Sequence, residues 1–164
     1  MKTLVIYGST TGTTEGVAEQ IAQKLGAEAV NVADVTDEQI AEADNLILGS
    51  STWGAGELQD DWYDGLEKLK AADLSGKIIA IFGVGDSASY SDTFCGSMAE
   101  LYHGLEDSGA QIVGAVPTDG YTFDDSESVV DGKFVGLPID EENESDKTEE
   151  RIDNWVKEIK PSLK

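Results

Sequence analysis

The chain has 164 residues, 40% of them hydrophobic. That is the size of one domain, read here as residues 1–164, and enough to bury about 70% of the unfolded surface. Its 33 acidic against 11 basic residues leave a net charge of −22, with one cysteine, Cys95. So acidic a chain repels nucleic-acid backbones and anionic membranes, which excludes both as partners and points to proteins with basic docking patches. A lone cysteine excludes an intrachain disulfide and fits a reducing cytoplasm. No apolar run has signal-peptide or membrane-spanning length.

Short unbroken apolar runs predict strands at residues 4–7, 29–32, 46–48, 78–82 and 112–116. Runs of this kind belong to parallel sheets covered on both faces. The second run contains Asn31 and reads as an edge strand. Helical periodicity lies between the strands. The first helix covers residues 13–25, with Val17, Ala18, Ile21, Ala22 and Leu25 on one face and Gly26 as its stop. A short helix follows Thr36, where Thr36 and Gln39 form a capping box. A third carries Trp62, Leu66 and Leu69. A fourth carries Phe94, Met98, Leu101, Tyr102 and Leu105, with His103 on its surface and Cys95 as a small apolar residue within it. The last carries Ile152, Trp155, Val156 and Ile159 and ends near Pro161. Alternation of this kind predicts an open, doubly wound α/β fold with a five-stranded parallel sheet. Residues 118–137 break the repeat as an insertion at the fifth strand, in which residues 129–135 read as a hairpin turning at Asp131-Gly132. The acidic run 140–150 reads as a solvated loop and helix start.

Ligands in such sheets sit beyond the carboxyl ends of the strands, where strand order reverses. The loop after the first strand reads Ser9-Thr10-Thr11-Gly12-Thr13-Thr14. Five hydroxyls feed directly into a helix N-terminus, whose first N–H groups lack intrahelical partners and carry partial positive charge. Helix capping accounts for one or two hydroxyls; five, with no lysine or arginine among them, suit a monophosphate held by neutral donors. The loop after the third strand, Ser51-Thr52-Trp53-Gly54, puts an indole between polar residues and glycine, a placement suited to stacking on an aromatic ring. The loop after the fourth strand, Gly83-Val84-Gly85-Asp86, leads on to Tyr90 and Asp92, and Tyr90 opposite Trp53 closes an aromatic sandwich. A phosphate nest beside two stacking aromatics describes a site for FMN.

These three motifs, in this order, resemble those of the flavodoxin family, and the insertion resembles its long-chain subgroup. The resemblance implies strand order 2-1-3-4-5 and FMN contacts at Ser9, Thr10, Thr11, Gly12, Thr13, Thr14, Thr52, Trp53, Gly54, Gly85, Asp86, Tyr90 and Asp92. It implies a soluble, low-potential one-electron carrier, a monomer with non-covalent FMN that shuttles between semiquinone and hydroquinone. Its partners would be redox proteins with basic surfaces, such as a flavodoxin/ferredoxin reductase. No metal or catalytic set is expected. The alternative is an FMN-dependent quinone or NAD(P)H oxidoreductase on the same fold. That enzyme needs open space over the flavin, which two covering aromatics would remove.

Overall fold

The computed structural model describes residues 2–8, 12–53, 57–88 and 93–163. Strand β1 (Thr3–Gly8) leads to helix α1 (Thr13–Leu25), and β2 (Glu28–Asn31) to α2 (Asp37–Glu42). Strand β3 (Asn45–Trp53) turns back through β4 (Glu57–Leu58) into α3 (Asp61–Ala71), and β5 (Ile78–Val84) precedes α4 (Ser97–Leu105). The apolar runs form a parallel sheet in the order β2, β1, β3, β5, with β2 paired to β1 alone among the described strands. Because side chains alternate across a strand, each apolar run feeds two cores. Leu4, Ile6, Leu46, Leu48, Ile79 and Ile81 pack with Trp62, Leu66, Met98 and Leu101 of α3 and α4. Val5, Tyr7, Ile47, Ala80 and Phe82 face the other way, onto Val17 and Ile21 of α1 and onto Ile152 and Trp155 of α6 (Thr148–Ile159).

The expected fifth strand is two strands. β6 (Gln111–Val113) pairs with the first half of β5, Ile78–Ala80, and the chain then leaves the sheet at Gly114, whose φ is +91°. β10 (Leu137–Ile139) returns to pair with Phe82, Gly83 and Val84. Counting β6 and β10 as one interrupted strand gives the expected order 2-1-3-4-5. Val116, expected to continue the strand, instead joins a small antiparallel sheet of β7 (Val116–Pro117), β9 (Lys133–Phe134) and β8 (Val129–Val130). The indole of Trp155 donates to Gly114 O at 2.8 Å and lies where a Cβ at Gly114 would sit, so the helix holds the departure point open.

Local signals hold where the chemistry is local. Gly26 ends α1 in the left-handed region at φ +66°, donating its N–H to Ala22 and Gln23 carbonyls. Thr36 and Gln39 form the capping box. Asp131 and Gly132, with φ of +54° and +83°, make the hairpin turn. Two expectations need correction. Phe94 and Cys95 precede α4 rather than belonging to it, and Cys95 is fully buried at φ +50°. Asp140, expected in a solvated loop, is fully buried; it caps α5 (Glu141–Glu144) by accepting from Asn143 N–H and also receives Ser87 N–H and the Ser87 hydroxyl.

Farther along, Glu144 receives Lys147 and Arg151, each at 3.0 Å. Burial works to raise this carboxyl, but the two cations outweigh it and hold the group below the ordinary carboxylate range. A depressed folded pKa contributes stability above the unfolded value near 4.3, lost as pH falls through the folded value. Glu144→Gln is expected to cost about 1 kcal/mol or less at pH 7 and almost nothing near pH 2. Urea unfolding at both pH values checks this; an equal cost at both would show that the ion pairs contribute nothing.

Candidate functional site

Strand register brings the three sequence motifs to one place. Gly8 of β1 pairs with Ser50 of β3, which pairs with Gly83 of β5, so the loops that follow all leave the same sheet edge. The order reverses here: the chain runs outward from β1 to β2, then crosses to β3 on the other side of β1. Close packing keeps this edge low. A Cβ on Gly8 would lie 2.5 Å from the Trp62 ring, and one on Gly83 would lie 2.6 Å from Met98 Cγ. Trp62 is itself fixed by donating its indole N–H to Gly49 O at 2.7 Å.

At the first loop, Gly12 occupies the N-cap of α1 with φ +92° and, as a glycine, brings no side-chain cap of its own. Gly12 is in the left-handed region that glycine enters without the Cβ penalty. Thr13 is half-buried and Thr14 buried. Thr14 Oγ1 has no hydrogen-bond partner among the described residues. A buried, unsatisfied hydroxyl costs about 1–3 kcal/mol, so one at a helix start suits an anion that completes it. Ser9, Thr10 and Thr11 lie outside the described residues.

At the second loop, Thr52 and Trp53 end β3 and pair antiparallel with Leu58 and Glu57. Gly54 lies outside the described residues. Thr52 Oγ1 lies 2.8 Å from Ser97 Oγ at the start of α4, and Ser97 Oγ in turn reaches Ser50 O at 3.4 Å. The Ser50 hydroxyl accepts from Gln59 N–H. Ser50, Gln59 and Ser97, all buried, tie the second loop to the third. The two serines did not stand out in the sequence, because buried hydroxyls next to apolar strands look like ordinary small residues, and Gln59 acts through its backbone N–H, which no side-chain pattern marks.

The third loop starts at Gly85, whose N–H donates to Ile139 O at 2.9 Å. Asp86 Oδ1 accepts from Ala88 N–H and from the Asn143 side chain. Ser87 is held by the buried Asp140. Gly85 and Asp86 are therefore brought to the edge shared with Gly12, Thr13, Thr14 and Thr52. Tyr90 and Asp92 lie outside the described residues. His103, with its side chain 58% exposed, is on the surface as expected. Elsewhere, a cavity of about 440 Å³ lies between residues 116–121 and α6. It shares no lining residue with these loops, and Arg151, one of its cations, already stacks on Tyr121 at 3.9 Å and pairs with Glu144.

The flavodoxin family model matches residues 5–155. The chain belongs to the flavodoxin family. It is 44% identical to flavodoxin 1 of Azotobacter vinelandii over 159 residues, covering 93% of this chain and 91% of that one. It is 43% identical to the flavodoxin of Helicobacter pylori, covering 97% and 96%. The crystal structure of the Fusobacterium nucleatum flavodoxin bound to flavin mononucleotide superposes with a TM-score of 0.92 at 34% identity, covering both chains fully. Among the described residues, no helix of this flavodoxin is long and apolar enough to cross a membrane.

Proposed function

We propose that this flavodoxin carries electrons one at a time between redox proteins, on FMN held non-covalently at the carboxyl edge of β1, β3 and β5. One observation carries the placement: the Thr14 hydroxyl, buried at the start of α1 and without a partner among the described residues. Residues Ser9 to Thr14 hold the phosphate with hydroxyls and backbone N–H groups. Thr52, Trp53 and Gly54 bound the ring from the second loop, and Gly85, Asp86, Tyr90 and Asp92 from the third. Bound FMN supplies the redox chemistry; the protein binds it, orients it and keeps water from its buried side. The hydrogen bonds from Thr52 to Ser97 and from Ser87 to Asp140 tie Thr52 and Ser87 to the scaffold. The oxidoreductase alternative is not favoured, since the family consists of electron-transfer proteins.

The experiment is spectroelectrochemical titration of the FMN-loaded protein, with NADPH added in a separate assay. A carrier shows two separated one-electron steps and no steady NADPH oxidation on its own. A single two-electron step with sustained turnover would overturn the reading.

The partners are redox proteins with basic docking surfaces, a flavodoxin/ferredoxin reductase among them, and the protein works as a cytoplasmic monomer. The net charge of −22 supports the first point and the single buried cysteine the compartment. Charge steering makes association rates fall steeply with salt, because exposed charges are screened beyond about 8 Å at physiological ionic strength. Stopped-flow mixing with a basic reductase from low to high salt is expected to show that fall; a flat profile would remove charge as the docking force.

A further inference from the structure

The residues that leave the third loop, 93–96, are gripped by the insertion, while Cys95 Sγ also donates to Ile139 O of β10 at 4.0 Å. Phe94 inserts its ring among Tyr121, Phe123 and Phe134, at centroid distances of 6.3, 5.8 and 6.1 Å, all three from the insertion. The next two carbonyls are both taken by buried insertion hydroxyls: Ser126 Oγ donates to Phe94 O, and Ser128 Oγ donates to Cys95 O at 2.7 Å. Ser128 Oγ also accepts from Ala99 N–H in the first turn of α4, while Ser126 Oγ accepts from Ser128 N–H. The two serines are 5% and 0% exposed, so water cannot replace them.

The residue they hold is one the backbone would not adopt freely. Cys95 has φ +50°, a left-handed conformation that is strained for a non-glycine residue and persists only where surroundings impose it. Its position matters to the loop's other end. A Cβ on Gly85 would lie 2.9 Å from Cys95 Sγ and 3.0 Å from Cys95 N, so the first and last residues of the loop touch at its base. The conformation of Cys95 therefore sets where residues 85–95 begin and end.

We propose that Ser126 and Ser128 are positioning residues for the flavin ring: the insertion clamps the strained Cys95 turn and so sets the two ends of the third loop, at Gly85 and at Cys95, before the ligand arrives. This rests on the site assigned above. Loops set in advance lose less freedom on binding, and that difference appears as affinity. The third loop bounds the ring and not the phosphate, so loss of the clamp weakens FMN and riboflavin by the same factor.

The test is the full-length Ser126→Ala/Ser128→Ala protein, with Ser126→Ala alone as the milder variant. The double variant is expected to bind FMN and riboflavin each about tenfold more weakly, the equivalent of about 1.4 kcal/mol. Inorganic phosphate should bind the FMN-free protein as before. A merely structural role would lower the melting temperature and leave the affinities of the folded protein unchanged, which overturns the proposal. Loss confined to FMN overturns it too. Trp53→Ala serves as the control for the site: if it weakens both flavins while the serine variants do not, the clamp is wrong and the site stands. If none of the variants affects flavin binding, the site assignment fails and the clamp with it. Should the double variant not fold, hydrogen exchange in the unmodified FMN-free protein decides. The Ala99 amide is expected to exchange as slowly as those of β5; exchange many-fold faster would show that nothing is clamped before FMN binds.

Discussion

Replacing Thr14 by alanine is expected to weaken FMN by about one to two decades while leaving riboflavin nearly unchanged. A hydrogen bond to a charged group contributes about 1.5–3 kcal/mol, and each 1.4 kcal/mol is a decade in affinity. The sequence from Ser9 to Thr14 contains no lysine or arginine. A phosphate there depends on hydroxyls, backbone N–H groups and the dipole of α1, so one buried donor is a large share of the total. The same substitution acts differently without ligand. Thr14 Oγ1 has no partner among the described residues, so its removal leaves no donor or acceptor stranded in the FMN-free protein. Stability of that form should therefore stay level or rise slightly. Flavin titrations followed by fluorescence quenching, together with urea unfolding of the FMN-free protein, separate the cases. Equal losses for FMN and riboflavin would mean that the helix start had been disturbed as a whole and that no phosphate contact had been lost.

Gly136→Ala is expected to be among the most damaging single substitutions, costing about 3 kcal/mol or more. Gly136 is buried immediately before β10, where the chain returns from the insertion to the sheet. A Cβ there would sit 2.0 Å from the carbonyl oxygen of Ile81 and 2.7 Å from its carbon. Those atoms belong to the backbone of β5, whose other edge pairs with β3, so they cannot move aside as a side chain does. The strands must separate, which strips Phe82, Gly83 and Val84 of their pairing with β10 and shifts Asp140 under Ser87. Two other glycines calibrate the result. Gly49→Ala meets the Phe82 ring at 2.0 Å, a side chain able to shift, and should cost less, about 1–3 kcal/mol. Gly16 on α1 has open space around it, and Gly16→Ala should stabilise by about 0.5–1 kcal/mol through helix propensity. At about 2–4 °C per kcal/mol for a chain of this length, thermal unfolding resolves all three. If Gly136→Ala melted with Gly49→Ala or above it, the close approach of β10 to β5 would be wrong.

The sequence by itself determined whatever one segment decides alone. Unbroken apolar runs made β1, β3 and β5 buried strands because both faces of the sheet are covered, and each run supplies both cores. The 3.6-residue spacing of Val17, Ala18, Ile21 and Ala22 made α1 a helix. The stop at Gly26, the Thr36–Gln39 box and the Asp131-Gly132 turn were legible because each is a contact between near neighbours.

Only tertiary structure decided the features that depend on which strands and loops become neighbours. Residues 112–116 read as one strand because their side chains are apolar. The break at Gly114 comes from Trp155, 41 residues later, whose indole bonds its carbonyl. β10 is three residues long, too short for periodicity, and is a strand only because β5 offers an unpaired edge beyond Ala80. Asp140 looked solvated among acidic neighbours, yet it is buried because β10 delivers it beneath the Ser87 hydroxyl and N–H, which satisfy its charge. Phe94 continued the apolar spacing of α4 but lies in the turn before it, drawn into the rings of Tyr121, Phe123 and Phe134. Burial and long-range hydrogen bonding outweigh local propensity at such positions, since a single well-packed aromatic contributes more than the propensity differences of the few residues that carry it.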